Sequence, residues 1–569
     1  MTDTLAQAYT LYKHGAYQDS DELYRAHLDQ HPDDARAWHM RGYVAVQLKN
    51  MERAVEYISR AIELKPNVYT MHVNLGSALA MLGKFDQAIE VHRNAIAINP
   101  NGTEAHLAIG NCLKAKGELH QADLAYLDAL KLKPDWAEAL EALALNTSKT
   151  ADFDKALDYA LRALAQDPNR LLSNKIAGNI YVRQRMYELA LRHYQEALRI
   201  DPDDAAANAN LGLLLIRTAQ YADAATAYEK AIALDQHDVV ARHGLSLALL
   251  TLGRLADGWP HFEARLEREG HLLAARRLSA PRLQERPIKK RLLAWADEGI
   301  GEQIMFASMI PEIVADCESL SLECDARLTP LFERSFSNLE VIPRQDPPHP
   351  KFNASYDAQV CLGSTARWYR PDMDSFPRHA GYLIANENLT RELKEEYSPK
   401  ARPRPLIGIS WRTKEQTKFS PEKTLALENW GPLLSVPGAT FVNLQYGDCT
   451  TEISKVEHSL GVSIISDTRI DPLKDLDSFA SQVAAMDLVI TISNATAHMA
   501  GALNVPVWTM VPKGFGAIWH WFLDRDDSPW YPSMRLLRQT KQSDWEPVVS
   551  QASAMLVDYV TRWRPAAAK

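Results

Sequence analysis

The first half of the chain repeats one pattern of small, apolar and polar positions. Prolines fall 34 residues apart without a change of register, and alanines keep the same step, each 12 residues before a later proline position. Large apolar residues such as Leu75 and Leu79 follow helical i, i+4 spacing. Because proline lacks a backbone N–H and stops a helix, the pattern predicts helix pairs with a turn at each proline. The prolines are Pro32, Pro66, Pro100, Pro134, Pro168 and Pro202, and the alanines are Ala54, Ala88, Ala122, Ala156, Ala190 and Ala224.

Glycines mark the places where the two helices of each predicted pair come closest. They are Gly42, Gly76, Gly110, Gly178 and Gly212, and the fourth period carries Ala144 instead. A 34-residue period with small residues at a fixed phase and a late proline is typical of tetratricopeptide repeats. We expect an all-α repeat solenoid over residues 1–270, which would present a concave surface to a macromolecule. The first period, 1–31, lacks the glycine and the small residues and is predicted to be a cap, and 239–266 closes the array.

Beyond residue 270, short apolar runs alternate with amphipathic helices, which is typical of parallel α/β structure. We predict a linker at 271–290 (a solvated helix and an extended crossing), a first α/β half at 291–400 and a second at 401–569. A mobile polar loop is expected at 372–376, and the charged run 391–400 is interpreted as the link between the halves. The predicted strands cover 291–296, 319–323, 339–342, 356–361, 405–411, 440–445, 462–465, 487–492 and 506–511.

Composition argues against several classes of function. The chain has 569 residues and a formal net charge of −9 without a basic stripe, which argues against nucleic-acid binding. Its five cysteines are scattered without metal-ligand spacing, as is typical of reduced thiols in the cytoplasm. The first residues show no leader pattern, and no apolar run approaches the length of a membrane span. We therefore expect a soluble cytoplasmic protein without a metal site.

The turn after the first predicted strand carries glycines and carboxylates together. Gly299 and Gly301 allow a tight turn at the carboxyl end of the strand, where open α/β sheets place ligands. The turn is neither a Walker P-loop nor a full dinucleotide fingerprint. Glu302, which follows, is a candidate for chemistry. A carboxylate in the first turn of a helix also stabilises that helix, so capping is the alternative role.

A second turn with candidate chemistry follows the strand predicted at 487–492. Ser493, Asn494 and Thr496 lie where a helix begins, and free N–H groups beside hydroxyls make an anion site. Each of these three side chains also fits an ordinary helix N-cap. His498 lies in the same first turns, and it also fits a buried histidine with a structural role.

Four segments resemble the glycosyltransferase-like domain that follows tetratricopeptide repeats in many bacterial proteins. They are WADEGIGEQIMF at 295–306, IGISW at 407–411, SNATAHMAGAL at 493–503 and DRDDSPWYPSMR at 524–535. The domain is distantly similar to heptosyltransferases, which implies a GT-B fold of two Rossmann-like halves. The domain order resembles O-GlcNAc transferase, and it is most similar to flagellin glycosyltransferases, in which the repeats bind flagellin and the GT-B domain adds a nonulosonic acid. Two positions depart from many relatives, since Glu302 and Asn494 stand where those carry aspartate.

The resemblance implies roles for individual residues. Glu302 would be the catalytic base, with Glu298 as the alternative, in the glycine turn of Gly299 and Gly301. The second half would hold a nucleotide-sugar donor, CMP-activated nonulosonic acid, and no other cofactor. No Asp-X-Asp triplet of the kind that holds a divalent ion against a sugar diphosphate is identified, which favours a metal-independent mechanism. Trp519 and Trp521 would stack on the donor or belong to the core. The residues assigned to the nucleotide-sugar are Arg412, Lys423 and His498, as cationic or donor groups, with Gln445, Ser493, Asn494, Ala495 and Thr496.

Three functions are compatible with these residues. The first is a protein O-glycosyltransferase whose repeats bind the acceptor, with flagellin and bacterial motility as the leading case. The second is a glycosyltransferase of envelope polysaccharide, with the repeats serving assembly. The third is a non-enzymatic repeat scaffold with a decayed GT-B domain. The retained Glu302, Ser493, Thr496 and His498 favour an enzyme.

Overall fold

The chain forms two compact units, Met1–Ala207 and Asn208–Lys569. The computed structural model describes residues 3–267, 278, 280–297, 299–345, 347, 349–353, 356–399, 402–413, 423–514 and 518–565.

The first unit consists of six pairs of helices, as the period predicts. Each second helix ends two residues before its proline, so the missing N–H falls in the turn, as expected. The helices are α1 (Asp3–Lys13), α2 (Tyr17–Gln30), α3 (Ala35–Gln47), α4 (Met51–Leu64), α5 (Tyr69–Met81), α6 (Phe85–Ile98), α7 (Thr103–Ala115), α8 (Leu119–Leu132), α9 (Ala137–Lys149), α10 (Phe153–Gln166), α11 (Leu171–Arg183) and α12 (Tyr187–Ile200).

Glycine in the first helix of a pair makes room for a large side chain of the second. A methyl group on Gly110 would lie 2.4 Å from a ring carbon of Tyr126. The fourth pair has alanine at both positions. Ala144 replaces the glycine, and Ala160 lies one period after Tyr126 in place of the tyrosine. Both alanines are fully buried in one cluster. The loss of glycine in this pair is thus matched by the loss of the ring.

The first pair of helices contradicts one expectation. Ala8 and Ser20 stand one period before Gly42 and Ala54, and both are fully buried. The Ser20 hydroxyl donates a hydrogen bond to the carbonyl oxygen of Ala8 at 2.9 Å. The prediction that this period lacks small residues is wrong, because alanine and serine take the places of glycine and alanine.

Two further helix pairs follow, and the boundary between the compact units falls in the first turn of the first of these helices. They are α13 (Ala205–Arg217), α14 (Tyr221–Leu234), α15 (Val239–Thr251) and α16 (Leu255–Phe262), followed by a 3₁₀ turn at Glu263–Glu267. Trp259 and Phe262 of α16 are buried in the same core as Phe306 of the α/β region. The apolar face of the last pair therefore packs on the α/β region. For this reason the compact units separate at Ala207, well before the boundary expected at residue 270.

The first sheet has four parallel strands in the order β3-β2-β1-β4. They are β1 (Arg291–Trp295), β2 (Ser319–Cys324), β3 (Leu339–Pro343) and β4 (Ala358–Cys361). The predicted crossing before β1 pairs with β4 at Arg282 and turns at residues 288–289. Leu283 N–H donates to the Gln359 carbonyl of β4 at 2.8 Å. Residues 268–277 and 279, where a linker helix was expected, lie outside the described residues.

The second sheet has seven strands in the order β10-β11-β9-β8-β5-β6-β7, and only β10 runs antiparallel to its neighbour. Counted from β5, the parallel strands follow the order 3-2-1-4-5-6 of doubly wound nucleotide-binding sheets. The order reverses between β5 and β8, so a ligand is expected beyond their carboxyl ends. The strands are β5 (Leu406–Ser410), β6 (Thr440–Asn443), β7 (Ile464–Ile465), β8 (Leu488–Ile492), β9 (Val507–Val511), β10 (Asp527–Ser528) and β11 (Tyr531–Arg538).

Helices cover these sheets. They are α17 (Ile300–Ala307), α18 (Ile310–Asp316), α19 (Thr329–Ser335), α20 (Ala366–Tyr369), α21 (Glu387–Tyr397), α22 (Gly431–Leu434), α23 (Thr450–Leu460), α24 (Leu476–Ala484), α25 (Ala495–Ala502) and α26 (Glu546–Arg562). Short 3₁₀ turns lie at Ala326–Leu328, Pro350–Asn353, Leu362–Thr365, Met373–Ser375, Leu427–Trp430 and Trp519–Trp521.

Two segments predicted as irregular are ordered elements. Most of the run expected to link the halves is the helix α21, which packs on α24. Its charges lie on the outer face, while Leu393 is buried. The expected mobile loop contains a 3₁₀ turn capped by Asp372, and Phe376 beside it packs edge-on against Trp530.

Candidate active site

Two turns from the two sheets meet at one place in the second unit. The glycine turn leads from β1 into α17, and a second turn leads from β8 into α25. The two helices α17 and α25 pack on each other. A methyl group on Gly301 would lie 2.7 Å from Cδ2 and 3.1 Å from Nε2 of His498. His498 therefore packs against the residue that precedes Glu302, so the two turns with predicted site residues are in contact.

Lys423 is the third predicted residue at this place. Its positive charge acts on Glu302, His498 and His520. A positive charge that acts on these side chains favours an anionic ligand or an ionised carboxylate. Residues 414–422, which precede Lys423, lie outside the described part of the chain, as does Glu298.

Glu302 has an unusual charge state. Burial, and after it the neighbouring Asp297 carboxylate, raise the pKa of Glu302 to about 7, against the opposing charges of Arg265 and Lys423. The carboxylate also bends back over Gly299, where a methyl group would lie 3.0 Å from its Oε2. Because Gly299 is the N-cap of α17, Glu302 stabilises the helix start as well. A carboxyl group with a pKa near neutral suits proton transfer.

Asn494 is the N-cap of α25. Its Oδ1 accepts hydrogen bonds from the backbone N–H groups of Thr496 at 3.0 Å and Ala497 at 3.4 Å. Its Nδ2 donates to the Ser410 hydroxyl at 2.8 Å, which ties the ends of β8 and β5 together. The first N–H groups of the helix are therefore occupied by the cap, and Ala495 is the partly exposed residue of this turn.

The neighbouring hydroxyls are used internally. The Ser493 hydroxyl accepts from the indole N–H of Trp521 at 2.7 Å. Thr496 is buried, with its hydroxyl 3.5 Å from that of Ser410. These side chains hold the turn in place, and the N–H groups of Thr496 and Ala497, expected from the sequence to be free for an anion, are taken by the Asn494 cap.

Gln445 and Arg412 hold the loop after β5. The Gln445 Oε1 accepts from the backbone N–H groups of Trp411 and Arg412, both at 2.9 Å. Arg412 pairs through Nε with Glu452 at 3.1 Å and donates from Nη2 to the Asp448 carbonyl at 2.8 Å. The Arg412 guanidinium thus contacts the start of α23. The cation whose charge acts on Glu302 and His498 is Lys423.

His498 is a neutral imidazole. Burial, and to a lesser degree Lys423, lower the pKa of His498 to about 3. Its ring stacks on Trp521 with centroids 5.0 Å apart, and its Nδ1 lies 2.8 Å from the Tyr531 hydroxyl. The cationic role expected from the sequence is therefore replaced by that of an uncharged group held at a fixed angle.

Trp519 and Trp521, expected either to stack on the donor or to belong to the core, are buried in the core. His520 between them was not singled out from the sequence, and neither of its ring nitrogens has a hydrogen-bond partner among the described residues. Tyr531 lies in the segment 524–535, but no role was assigned to it from the sequence.

A buried ion pair beside the glycine turn was also missed. Arg265, from the 3₁₀ turn after α16, donates from Nε at 3.1 Å and from Nη2 at 3.0 Å to Oδ1 of Asp297. The other carboxylate oxygen accepts from the N–H of Gly363 at 2.9 Å. Asp297 immediately precedes the glycine turn, so the last repeat supplies the cation that balances it. Arg265 stands between Glu263 and Glu267, so no local pattern in the sequence marks it.

Within the described ranges, no group of three histidine, cysteine, aspartate or glutamate side chains is arranged to hold a metal ion. No helix in that same part of the chain is long and apolar enough to cross a bilayer.

Known families match the repeats. Three tetratricopeptide repeat families match the chain, one at residues 5–69 and 209–269, a second at 76–117 and 178–218 and a third at 103–135. Protein FlbA of Caulobacter vibrioides is 33% identical over 283 residues, which are 48% of this chain and 47% of FlbA. The chain thus spans about half the length of the curated relative that it matches.

Among solved structures, the chain is similar to the Cut9–Hcn1 complex of the APC/C, with 19% identity, 42% of this chain and 48% of that chain covered, and a TM-score of 0.37. It is also similar to YrrB, described as a TPR protein with an unusual peptide-binding site, with 21% identity, 33% and 98% covered, and a TM-score of 0.30. Both TM-scores lie below 0.5, so neither likeness identifies a function. The chain carries tetratricopeptide repeats, an architecture that mediates protein interactions, followed by an α/β region with two parallel sheets.

Proposed function

We propose that the protein is a glycosyltransferase of GT-B architecture that acts on a protein acceptor. The observation that carries the proposal is the meeting of two turns, one from each sheet, which packs Gly301, the neighbour of Glu302, against the His498 ring, while the charge of Lys423 acts on both Glu302 and His498. Open α/β sheets bind ligands beyond the carboxyl ends of their strands, and both turns lie at such ends. A site shared by two such sheets suits a reaction between two substrates.

The proposed step is a transfer to a hydroxyl group. The acceptor oxygen attacks the anomeric carbon, a new C–O bond forms, and the bond from that carbon to the nucleotide phosphate breaks. The phosphate keeps the electron pair, and the proton of the hydroxyl passes to the ionised form of Glu302. Lys423 stabilises the charge that grows on the leaving phosphate.

The donor and the acceptor are assigned from the resemblance of the α/β segments. The donor is CMP-activated nonulosonic acid, and the acceptor is Ser or Thr of a protein, with flagellin as the leading candidate. The repeats support a protein acceptor because a concave helical surface selects macromolecules. The reaction would take place in the cytoplasm.

Intact mass of the acceptor tests this function directly. Flagellin from the same genome is co-expressed with the protein and with the CMP-nonulosonate pathway, and its mass is measured. We expect an increase by whole nonulosonate residues with the wild type, little increase with Glu302→Gln and a normal increase with Glu333→Gln, an exposed glutamate of α19. Unmodified flagellin in the presence of folded wild type and donor would refute the proposal.

A scaffold without activity is the second candidate. It is favoured by the internal hydrogen bonds of Ser493 and Asn494, which serve the fold. A scaffold would bind the acceptor with equal affinity in the wild type and in Glu302→Gln, and neither would change the mass of the acceptor.

A further inference from the structure

A small pocket lies on the face of the second sheet that α26 covers. Its volume is about 290 Å³, close to the lower limit of small-molecule sites. The residues that line it are Trp508, Arg535, Met555, Asp558, Tyr559, Arg562 and Trp563. Trp508 of β9 and Arg535 of β11 are partners across the two strands, so their side chains stand on the same face of the sheet. The strands thus provide one wall of the pocket, and the last turns of α26 provide the other.

The pocket is separate from the candidate active site. Side chains alternate between the two faces of a strand. Val507 and Val511 of β9 belong to the core that contains Ala497 of α25, whereas Trp508 packs against the core beneath α26. A ligand in the pocket therefore contacts the face of the sheet opposite α25, the helix that carries His498.

Aromatic rings form the apolar part of the pocket. The Tyr559 ring meets Trp508 edge-on with centroids 6.0 Å apart, and the Tyr559 hydroxyl donates to the carbonyl oxygen of Asp487 at 2.8 Å. Trp508, Tyr559 and Trp563 remain partly exposed. Fixed, partly exposed aromatic surfaces of this kind accept a flat ring or the C–H face of a sugar.

The charged side chains of the pocket favour an anion that also carries hydroxyl groups. Arg562 pairs with Asp558 at 2.8 Å along α26. The ion pair of Arg535 with Asp526 is long, 3.8 Å, and both side chains are exposed, so it contributes little. Two guanidinium groups against one carboxylate leave the lining positive in a protein whose net charge is −9. A guanidinium binds a carboxylate through two parallel hydrogen bonds, and Asp558 can accept hydrogen bonds from hydroxyls.

We propose that this pocket binds a sugar that carries a carboxylate, with the sugar ring on Trp508 and Trp563, the carboxylate on Arg535 and the hydroxyls on Asp558. The inference rests on the proposed function for the source of this sugar, which is the glycan already attached to the acceptor. Because the pocket lies on the face away from the reacting groups, it holds a sugar that has been transferred while another hydroxyl of the same acceptor is modified. A phosphate, with its second negative charge, is disfavoured by Asp558.

Ligand-observed NMR of the full chain with free N-acetylneuraminic acid tests the pocket without any turnover. We expect saturation transfer to the sugar with the wild type and roughly 10- to 100-fold weaker binding with Arg535→Gln, because hydrogen bonds to a charged group are lost. Trp563→Ala should also weaken binding, whereas Arg391→Gln, at an exposed arginine of α21, should not. The uncharged methyl ester of the sugar should bind less tightly than the acid. Equal affinities of acid and ester, or of the wild type and Arg535→Gln, would overturn the proposal, as would the absence of binding in the millimolar range.

Binding of the acceptor distinguishes the attached sugar from the free one. Flagellin that already carries the sugar should bind the wild type more tightly than unmodified flagellin, and this difference should vanish in Arg535→Gln. Equal affinities of the two flagellins for the wild type would overturn the assignment to the attached glycan. Absence of transfer by the wild type would refute the proposed function, whereas the NMR titration decides the pocket independently.

Discussion

At the residue scale, the proton on Glu302 connects the fold to the chemistry. The pKa of this carboxyl is raised from 4.5 to about 7, mainly by desolvation of the carboxyl group within the partly buried side chain and secondly by the Asp297 carboxylate. Near neutral pH the site therefore holds a mixture of the acid and its conjugate base. A proton acceptor works best when its pKa lies near the working pH.

Glu302→Gln keeps the size and the hydrogen bonds of the side chain and removes its basicity. If Glu302 is the base, transfer should fall by about 10²- to 10⁴-fold, while donor and acceptor affinities stay nearly unchanged. The wild-type rate should rise as the pH rises through about 7, because the basic form then accumulates. Turnover that survives the substitution would move the base to Glu298 or Asp297, and the same substitution at those positions would identify it.

The same group links stability to pH. The folded protein keeps the Glu302 proton up to a higher pH than the unfolded chain, so the wild type should lose stability relative to Glu302→Gln as the pH rises from 4.5 to about 7. Urea unfolding of both proteins across this range measures the difference. Parallel stability curves would place Glu302 in a solvated environment.

Arg265 and Asp297 provide a second residue-scale test. Removing the guanidinium leaves the Asp297 charge buried and unpaired, which costs about 3–5 kcal/mol in comparable pairs. Arg265→Met should therefore destabilise the protein strongly, and adding Asp297→Asn should restore part of the loss. The free energy of unfolding of the two single variants and the double variant gives the coupling. Additive losses would contradict a direct pair.

At the scale of elements, the repeats follow a rule of matched sizes between two helices. Large residues such as Tyr126 stand over a glycine, whereas the fourth pair combines Ala144 with Ala160. The residue tolerated in the first helix of a pair thus depends on the size of the side chain that faces it from the second helix. The repeat positions themselves were readable from the sequence, but this compensation needed the paired helices in place.

Exchanging the sizes tests the rule. Gly110→Ala should destabilise the repeats by about 1–3 kcal/mol through overpacking against Tyr126, although alanine is the better helix former. The matched change in the fourth pair is Ala160→Tyr, which should be destabilising alone and partly rescued by Ala144→Gly. Thermal unfolding of Gly110→Ala, Ala160→Tyr, Ala144→Gly and the double variant of the fourth pair measures the effects. A stabilised Gly110→Ala would show that the ring moves aside freely.

The nine predicted strands of the α/β region are all present, because buried parallel strands read as short apolar runs. The strands β10 and β11 were missed, since β10 has only two residues and Pro532 and Arg535 interrupt the pattern of β11. The helix α26 was missed although its buried residues, among them Val549, Ala552 and Leu556, follow a helical period. The turns that carry Glu302 and His498 were identified, but their meeting across two sheets and the hydrogen bond between Tyr531 and His498 depend on contacts that no local pattern records.

At the scale of the whole molecule, the repeats divide between the two compact units. A fragment that ends at Ala207 contains neither Trp259 nor Phe262, because both residues belong to the second unit. A chain cut after Glu267 exposes both side chains, which are almost completely buried in the full protein.

Truncation should therefore depend sharply on where the cut is made. Residues 1–207 should remain monomeric and bind the acceptor in a pull-down, whereas residues 1–267 should aggregate or bind a hydrophobic dye. Size-exclusion chromatography and dye fluorescence distinguish the two chains. Acceptor binding that requires residues beyond 207 would place recognition outside the first unit.

The packing of α16 also sets a rule for exchanging parts between related proteins. Helix pairs before Ala207 contact mainly their neighbours along the array, so pairs can be added, removed or substituted there in steps of 34 residues. The final pair is different, because its inner face and Arg265 complete the core and the charge balance of the α/β region. A chimera that takes its repeats from another protein should therefore be joined between α12 and α13. The last pair, α15 and α16, should then be kept together with the α/β region on which it packs.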